Sequence, residues 1–258
     1  MVKLSVVIIT LNEERNIGRC IDSVVAIADE VLVVDSFSTD QTKAIATERG
    51  ARFVENEFLG HIQQKNFALS EATYDHVLSL DADECLSEKA SERIGEIKEN
   101  WVHDGYSLKR LTNFCGAWIR HCGWYPDRKV RLVDRRVAEW GGTNPHDRLM
   151  LSDTASAFPL QEDILHYSFP TIASHVRTAN SFSEIAAKQN VEAGKRAYFL
   201  RDVILNPLFT FLKKFIFQRG FMDGYYGFIV CAMSAYSNFL KYLKIWQLQR
   251  EDPDLKNG

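Results

Sequence analysis

Short apolar runs alternate with amphipathic stretches along the first third of the chain. Leu4-Ser5-Val6-Val7-Ile8-Ile9-Thr10 reads as a strand covered on both faces. Asn12-Glu13-Glu14 then opens a helix whose apolar positions Ile17, Ile21, Val24 and Val25 recur at helical spacing. Val31 to Val34 is a second buried strand, ending in Asp35. The turn Ser36-Phe37-Ser38-Thr39-Asp40 caps a helix running to about Arg49, where Gly50 stops it. Arg52-Phe53-Val54-Glu55 is a short third strand, residues 60–72 are helical, and Val77 to Leu80 is a fourth strand. Strands and helices alternating at these spacings predict an α/β fold, a mostly parallel sheet flanked by helices. Ligands of such sheets sit beyond the carboxyl ends of the strands. No G-x-G-x-x-G follows the first strand, which argues against a dinucleotide fold.

Three strands deliver polar residues to that end: Thr10, Asp35 and Asp81. The fourth stops abruptly in Leu80-Asp81-Ala82-Asp83-Glu84, and three acids within four positions are costly beside an apolar core unless something neutralises them. Two carboxylates one residue apart at the mouth of a sheet suit a hard cation, Mg²⁺ or Mn²⁺, with positions left for water and phosphate oxygens. The plainer reading is an acidic turn that caps the next helix, with Ser87 or Asp83 as N-cap.

From about Trp101 the pattern changes to short strands, Gly105 to Arg110 and Lys129 to Val133, interleaved with Trp118, Trp124, Tyr125 and Trp140. Arg128, Lys129, Arg131, Arg135 and Arg136 share the stretch, which reads either as a sugar-stacking acceptor wall or as core aromatics among solvated charges. Ile172 to about Tyr198 is predicted as one long helix. Pro207 starts another, with Leu208, Leu212, Phe215 and Ile216 on one face. Residues 224–240 carry no charge, but this falls short of a membrane span and is interrupted by Ser234, Ser237 and Asn238. Val203 to Trp246 is thus expected to form one or two amphipathic helices, lying on anionic lipid or packed as a hairpin or dimer contact. The implied organisation is a catalytic domain over 1–170, its halves at about 1–100 and 101–170, and a helical C-terminal extension over 171–258.

Charge sharpens this division. The net charge of the 258 residues is −3, yet residues 1–193 hold 21 Lys and Arg against 29 Asp and Glu, while residues 194–250 hold 9 against 2. A cationic tail on an acidic body suggests a charged surface as partner, and the acidic body with no binding motif excludes nucleic acid. Five cysteines without a C-x-x-C pair argue for a reducing compartment, and Cys115, His121 and Cys122 lack a fourth zinc ligand at usual spacing. The chain opens on a strand, not a signal peptide, so a cytoplasmic location is expected.

The segments Ser5 to Glu14, Val33 to Thr42 and Leu80 to Glu84, with Gln64-Lys65-Asn66-Phe67-Ala68-Leu69, together resemble family 2 glycosyltransferases of the GT-A fold. More narrowly the chain is similar to lipopolysaccharide inner-core β-glucosyltransferases of the WaaE/KdtX type, through Gly123 to Asp127, Arg131-Leu132-Val133 and Gly220 to Gly224. The resemblance implies a GT-A fold and an inverting transfer of a hexose, glucose in the first instance, from a nucleotide-diphosphate sugar such as UDP-glucose. The acceptor would be a lipid-linked or lipopolysaccharide-core glycan at the cytoplasmic face of the inner membrane. It implies donor contacts from Thr10, Asn12, Glu13, Asp35, Lys65 and Asp81, and a Mg²⁺ or Mn²⁺ ion held by Asp83 and His166. The general base is expected at Asp147 in Asn144-Pro145-His146-Asp147-Arg148, with Glu84 and the Glu162-Asp163 pair as competitors. Where the subgroup carries His-Glu this chain has the shorter His146-Asp147.

Other readings stay open on sequence. The acceptor could be capsule or another lipid-linked glycan. A phosphohydrolase using Asp81 as nucleophile would need a small Gly-Thr continuation that is absent. A non-catalytic membrane scaffold would have no need of the acids, and a homodimer is an alternative use of the C-terminal helices.

Overall fold

The structure is a computed structural model that describes residues 1–143 and 146–251, without the side chain of His146. Asn144 and Pro145, in the motif of the expected base, lie outside the described residues. In chain order the elements are β1 (Leu4–Thr10), α1 (Ile17–Asp22), β2 (Glu30–Asp35), α2 (Thr42–Glu48), β3 (Arg52–Glu55), α3 (His61–Glu71), β4 (His76–Asp81), β5 (Glu84–Leu86) and α4 (Glu88–Glu99). Then come β6 (Gly105–Phe114), β7 (Ala117–Ile119), β8 (Asp127–Asp134), β9 (Ala138–Thr143), β10 (His146–Leu151), β11 (Ala157–Phe169), α5 (Ile172–Glu192), α6 (Asn206–Leu212) and α7 (Gly224–Glu251). The chain forms two compact units, one of Met1–Leu111 with Pro126–Tyr167, the other of Thr112–Tyr125 with the chain from Ser168 onward.

In the first unit the strand order is β3-β2-β1-β4-β8-β6-β11-β5. The first four strands are parallel, as their sequence spacing predicts, and β8 joins β4 antiparallel. Alternation along the strands splits the core in two. Val6, Ile8, Val33, Leu78 and Leu80 face α1, α2 and α4, whose Ile17, Cys20, Ala46, Ala90 and Ile94 are buried with them. Val7, Leu32, Val34 and Val77 face α3 through Ala68, Leu69 and Ala72, with Trp140 and Leu149 completing that side. At roughly 1.5–3 kcal/mol per fully buried large apolar side chain, these two faces fix strand register, because a one-residue slip would carry each set to the wrong side.

The first helix is shorter than the sequence reading at both ends, beginning only at Ile17. Helix α1 ends at Asp22, and Val25 lies outside it, 59% exposed, because the Ser23 hydroxyl bonds Cys20 O at 2.7 Å while accepting from Leu86 N–H at 3.0 Å. Of the two N-caps the sequence offers for α4, Ser87 is the one used, its hydroxyl accepting from Ala90 N–H.

In the second unit the long helix predicted to about Tyr198 stops at Glu192, and Gly194 follows at φ +72, a left-handed turn suited to glycine. The chain becomes helical again from Phe199, π-helical over Phe199–Leu205 and Lys213–Phe217 on either side of α6. Phe114, Ile119, Cys122, Val230 and Cys231 form one core of this unit, with Phe211 and Phe215 packed on it, and Ala187, Ala197 and Ile245 form another. Asp223 accepts from His121 N–H at 2.8 Å and lies 2.8 Å from His121 Nδ1, which gives His121 a structural partner. Gly227 must be glycine, since a Cβ there would meet Gly220 O at 1.9 Å.

One charged contact secures the start of the first strand. The Asp29 carboxylate, 15% exposed, accepts from Lys3 Nζ at 2.8 Å and from Leu4 N–H at 2.9 Å, and pairs with Lys98 Nζ at 2.5 Å. Burial opposes its charge, but these hydrogen bonds outweigh it and lower its carboxyl to about 2. A depressed carboxylate stabilises the fold above its unfolded pKa and ceases to do so as pH falls through its folded one. Asp29→Asn is therefore expected to cost about 1–2 kcal/mol at neutral pH after allowance for screening. In urea titrations the gap to wild type should close between about pH 4 and pH 2; a gap independent of pH would contradict this assignment.

Candidate active site

The loops after β1 and β2 are tied together before any ligand is considered. Asn12 N–H donates to Ser38 Oγ at 2.7 Å, Thr39 N–H to Asn12 Oδ1 at 2.9 Å and Glu13 N–H to Thr42 Oγ1 at 2.8 Å. Asn12 adopts φ +54, a left-handed conformation that asparagine tolerates better than most residues. Asp35, 1% exposed, turns back on its own loop and accepts from Ser38 N–H at 2.6 Å and from the Ser38 hydroxyl. Thr10 is buried beside it with no hydrogen-bond partner for Oγ1.

Register separates the three strand-end residues. Thr10 is level with Asp35, but Asp81 is level with Ile9. Thr10 and Asp35 therefore stand on the α1 and α2 side of the sheet, and Asp81 on the α3 side. The sequence reading brought all three into one crevice; the pleat places only two of them together.

On the α3 side Lys65, 5% exposed, lies 2.9 Å from Asp81 Oδ1 and donates to Asp147 Oδ2 at 2.7 Å. One ammonium thus joins a residue of the acidic turn to a residue 66 positions later in the chain. Arg131, 3% exposed, reaches Asp81 Oδ2 at 3.0 Å and Glu84 Oε1 at 2.8 Å. Both cations sit over the Trp140 ring, at 4.3 Å for Lys65 and 5.2 Å for Arg131. Burial opposes the Asp81 charge, but Lys65 and Arg131 outweigh it and hold the carboxyl well below the usual carboxylate range. Burial likewise opposes the Arg131 charge, and Glu84 and Asp81 hold it more firmly protonated than an arginine in water.

The other end of the turn faces a different partner. Asp83 Oδ2 lies 3.1 Å from His166 Nε2 on β11, where Tyr167 N–H also donates to Asp83 O at 2.8 Å. Burial disfavours the imidazolium, but the Asp83 charge and hydrogen bond prevail and raise the His166 pKa. Glu13 senses the same charge: burial, then Asp83 and Asp40, raise its carboxyl against the lowering effect of Asn16. Among the described residues, buried polar atoms without a hydrogen-bond partner include Thr10 Oγ1, Arg131 Nε, Trp140 Nε1 and His166 Nδ1, all in this region of the first unit. Unsatisfied buried groups are rare, and each of these keeps a hydrogen bond unmade.

Residues 5–120 match the sequence model of the family described as Glycosyl transferase family 2. An uncharacterized glycosyltransferase of Rickettsia typhi is 34% identical over 96% of this chain and 88% of its own length. The chain belongs to glycosyl transferase family 2. The glycosyltransferase is also 28% identical, over 95% of its length and 92% of the relative's, to the lipopolysaccharide core biosynthesis glycosyltransferase LpsC of Rhizobium meliloti. Among solved structures, glucosyl-3-phosphoglycerate synthase of Mycobacterium tuberculosis, with Mn²⁺, UDP and glucosyl-3-phosphoglycerate, is 26% identical over 43% of this chain and 44% of that one. Its TM-score of 0.36 is too low to carry a ligand across.

Within this glycosyltransferase the structure also separates the candidate bases. Glu84 is 1% exposed; its carboxylate meets Arg131 and, at 3.6 Å, Arg110, and accepts from Asp81 N–H at 3.1 Å, so no solute reaches it. Asp163 and Glu162 stand three and four residues before His166 on β11, roughly 10 Å or more along the strand. Asp147 is the one joined to the acidic turn through Lys65. Arg131 and Trp140 gain roles that the sequence did not assign. A signal for Arg131 existed, because an arginine between Val130 and Leu132 in a strand must meet an acid if it is buried.

Removing Arg131 would leave Glu84 buried without its principal cation. Arg131→Met is expected to cost about 3–5 kcal/mol in urea unfolding. Adding Glu84→Gln should recover at least half of that loss, since both buried charges then leave together. A cost below about 1 kcal/mol for Arg131→Met would show that the pair does not hold the turn.

Proposed function

We propose that this enzyme moves a hexose, glucose in the first instance, from UDP-glucose or a related nucleotide sugar to a hydroxyl of a cell-envelope glycan, with inversion at the anomeric carbon. The observation that carries the reading is the Lys65 bridge between Asp81 and Asp147, which brings a base-capable carboxylate to the strand end where donors of such sheets bind. The name of the Rhizobium meliloti relative supports a lipopolysaccharide-core acceptor, in keeping with the narrower sequence resemblance. A reaction on such an acceptor, using a sugar nucleotide, belongs at the cytoplasmic face of the inner membrane.

The residues present fit a divalent cation. Asp83 and His166 supply an oxygen and a nitrogen 3.1 Å apart, and His166 would ligate as the neutral imidazole, its proton displaced by the ion. Among the described residues no set of three or more His, Cys, Asp or Glu side chains is arranged to hold an ion. Asp83 and His166 would therefore hold Mg²⁺ or Mn²⁺ with the donor's diphosphate oxygens completing the shell, as is usual for these hard ions. When bound, the ion offsets the negative charge gathering on the departing diphosphate.

The chain's own groups do the rest. The pinned loops carrying Asn12, Glu13 and Asp35 would receive the base and ribose, and Thr10 Oγ1 has a hydrogen bond to offer there. The Asp147 carboxylate accepts the proton of the acceptor hydroxyl as that oxygen attacks the anomeric carbon. The bond to the diphosphate breaks with its electron pair, so nucleoside diphosphate leaves on the opposite face. Lys65, itself lying over Trp140, holds the Asp147 carboxylate in place, a positioning role.

Asp147→Ala is expected to lower turnover by about 10²–10⁴ while donor binding stays near the wild-type value. Proton NMR of the product from an α-linked donor should show a β-anomeric signal. Normal turnover by Asp147→Ala would move the base elsewhere, and an α-linked product would end the single-displacement reading.

A further inference from the structure

The helical path from Phe199 to Phe217 in the second unit is apolar on two sides. Inward, Val203 and Pro207 are buried, and Phe211 and Phe215 pack on the cluster around Phe114 and Val230. Outward, Leu205, Leu208, Phe209, Leu212, Ile216 and Phe217 are between 47% and 77% exposed. Residues 205, 208, 209, 212 and 216 recur at the spacing of a single helical face. At roughly 150–200 Å² per side chain, these six leave on the order of 600 Å² of apolar surface in contact with water, at the upper end of what a soluble monomer tolerates. Exposed aromatic and methionine side chains of residues 221–228 extend the same kind of surface.

Charge tells which partner covers it. Arg201 and Lys213 are exposed within this segment, and the exposed Lys195, Arg196 and Arg219 flank it. The two acids of residues 195–223 are turned inward: Asp202 is buried and binds Tyr198 N–H and Arg201, and the Asp223 side chain, 8% exposed, binds His121. Water therefore meets apolar side chains and cations here, with the negative charges withdrawn. No helix among the described residues is long and apolar enough to cross a membrane. An isologous contact between two copies would set these cations against their own equivalents. An anionic bilayer surface matches both features, because its acyl boundary takes the apolar face and its headgroups take the lysines and arginines.

We propose that the outward face of residues 199–217 is a lipid-docking surface, lying flat in the headgroup layer of an anionic bilayer. The proposal uses no nucleotide and no catalytic residue, so it stands or falls separately from the transferase reading.

The test is co-sedimentation of the full chain with vesicles of phosphatidylcholine, with and without phosphatidylglycerol. Wild type should partition onto the anionic vesicles and release at high salt. Leu208→Glu with Phe209→Glu should weaken that partition by about tenfold or more. Both side chains already face water, and an unchanged melting temperature confirms that the variant folds. Lys213→Glu leaves the apolar face intact and should weaken the anionic component while sparing the residual affinity for neutral vesicles. Failure of wild type to sediment with anionic vesicles, or equal partition of wild type and the Leu208→Glu/Phe209→Glu variant, overturns the proposal. So does a dimer in analytical ultracentrifugation that the double variant converts to monomer without any effect of lipid.

Discussion

The first unit depends on how a buried arginine is neutralised. Arg131 enters the core from β8, and Glu84 and Asp81 meet it from the turn that ends β4. Taking three charges out of water costs several kcal/mol per ion, and their mutual attraction returns that only when geometry is good. The cluster therefore adds little net stability, but it leaves the acidic turn a single arrangement. With Glu84 turned inward against Arg131, Asp81 is held towards Lys65, and Asp83 is left for His166 on β11.

That division of labour gives one short turn two chemical faces. The side towards α3 carries balanced charge, Asp81 and Asp147 around a lysine that lies over Trp140. The side towards β11 gathers negative charge: Asp83 raises the His166 pKa against the effect of burial, and burial first, then Asp83, raises the carboxyl of Glu13. A diphosphate sugar bound with a divalent ion would satisfy the second side, and an acceptor hydroxyl would meet the first. The fold supplies the distance between the two roles simply by alternating side chains along a chain that turns.

The parallel half of the sheet was legible in the sequence because its strands are covered on both faces and read as uninterrupted β-branched runs. The acidic turn was legible for the opposite reason, as carboxylates placed where an apolar run ends. What stayed hidden lay in relations between strands. Thr10, Asp35 and Asp81 look equivalent in sequence, and only the register, with Asp81 level with Ile9, reveals that they part to opposite faces. Asp35 reads in sequence as a ligand contact, and its bonds from the Ser38 N–H and hydroxyl, which also fix its loop, come from a residue that the pattern of strands does not single out. The C-terminal helices were foreseen in composition but not in their breaks: Gly194 was a stop signal in the sequence that the predicted helix ran past, whereas the π-helical turns have no signature in the periodicity.

Asp83 and His166 are proposed to bind a divalent ion together with a nucleoside diphosphate, and calorimetric titration of UDP reads this most directly. The full chain and its Asp83→Asn variant would each be titrated with UDP, in Mn²⁺ and in chelator. UDP binding by wild type that requires Mn²⁺ and weakens by about tenfold or more in the variant is the predicted result. Binding of equal strength in chelator, or in Asp83→Asn, would contradict it.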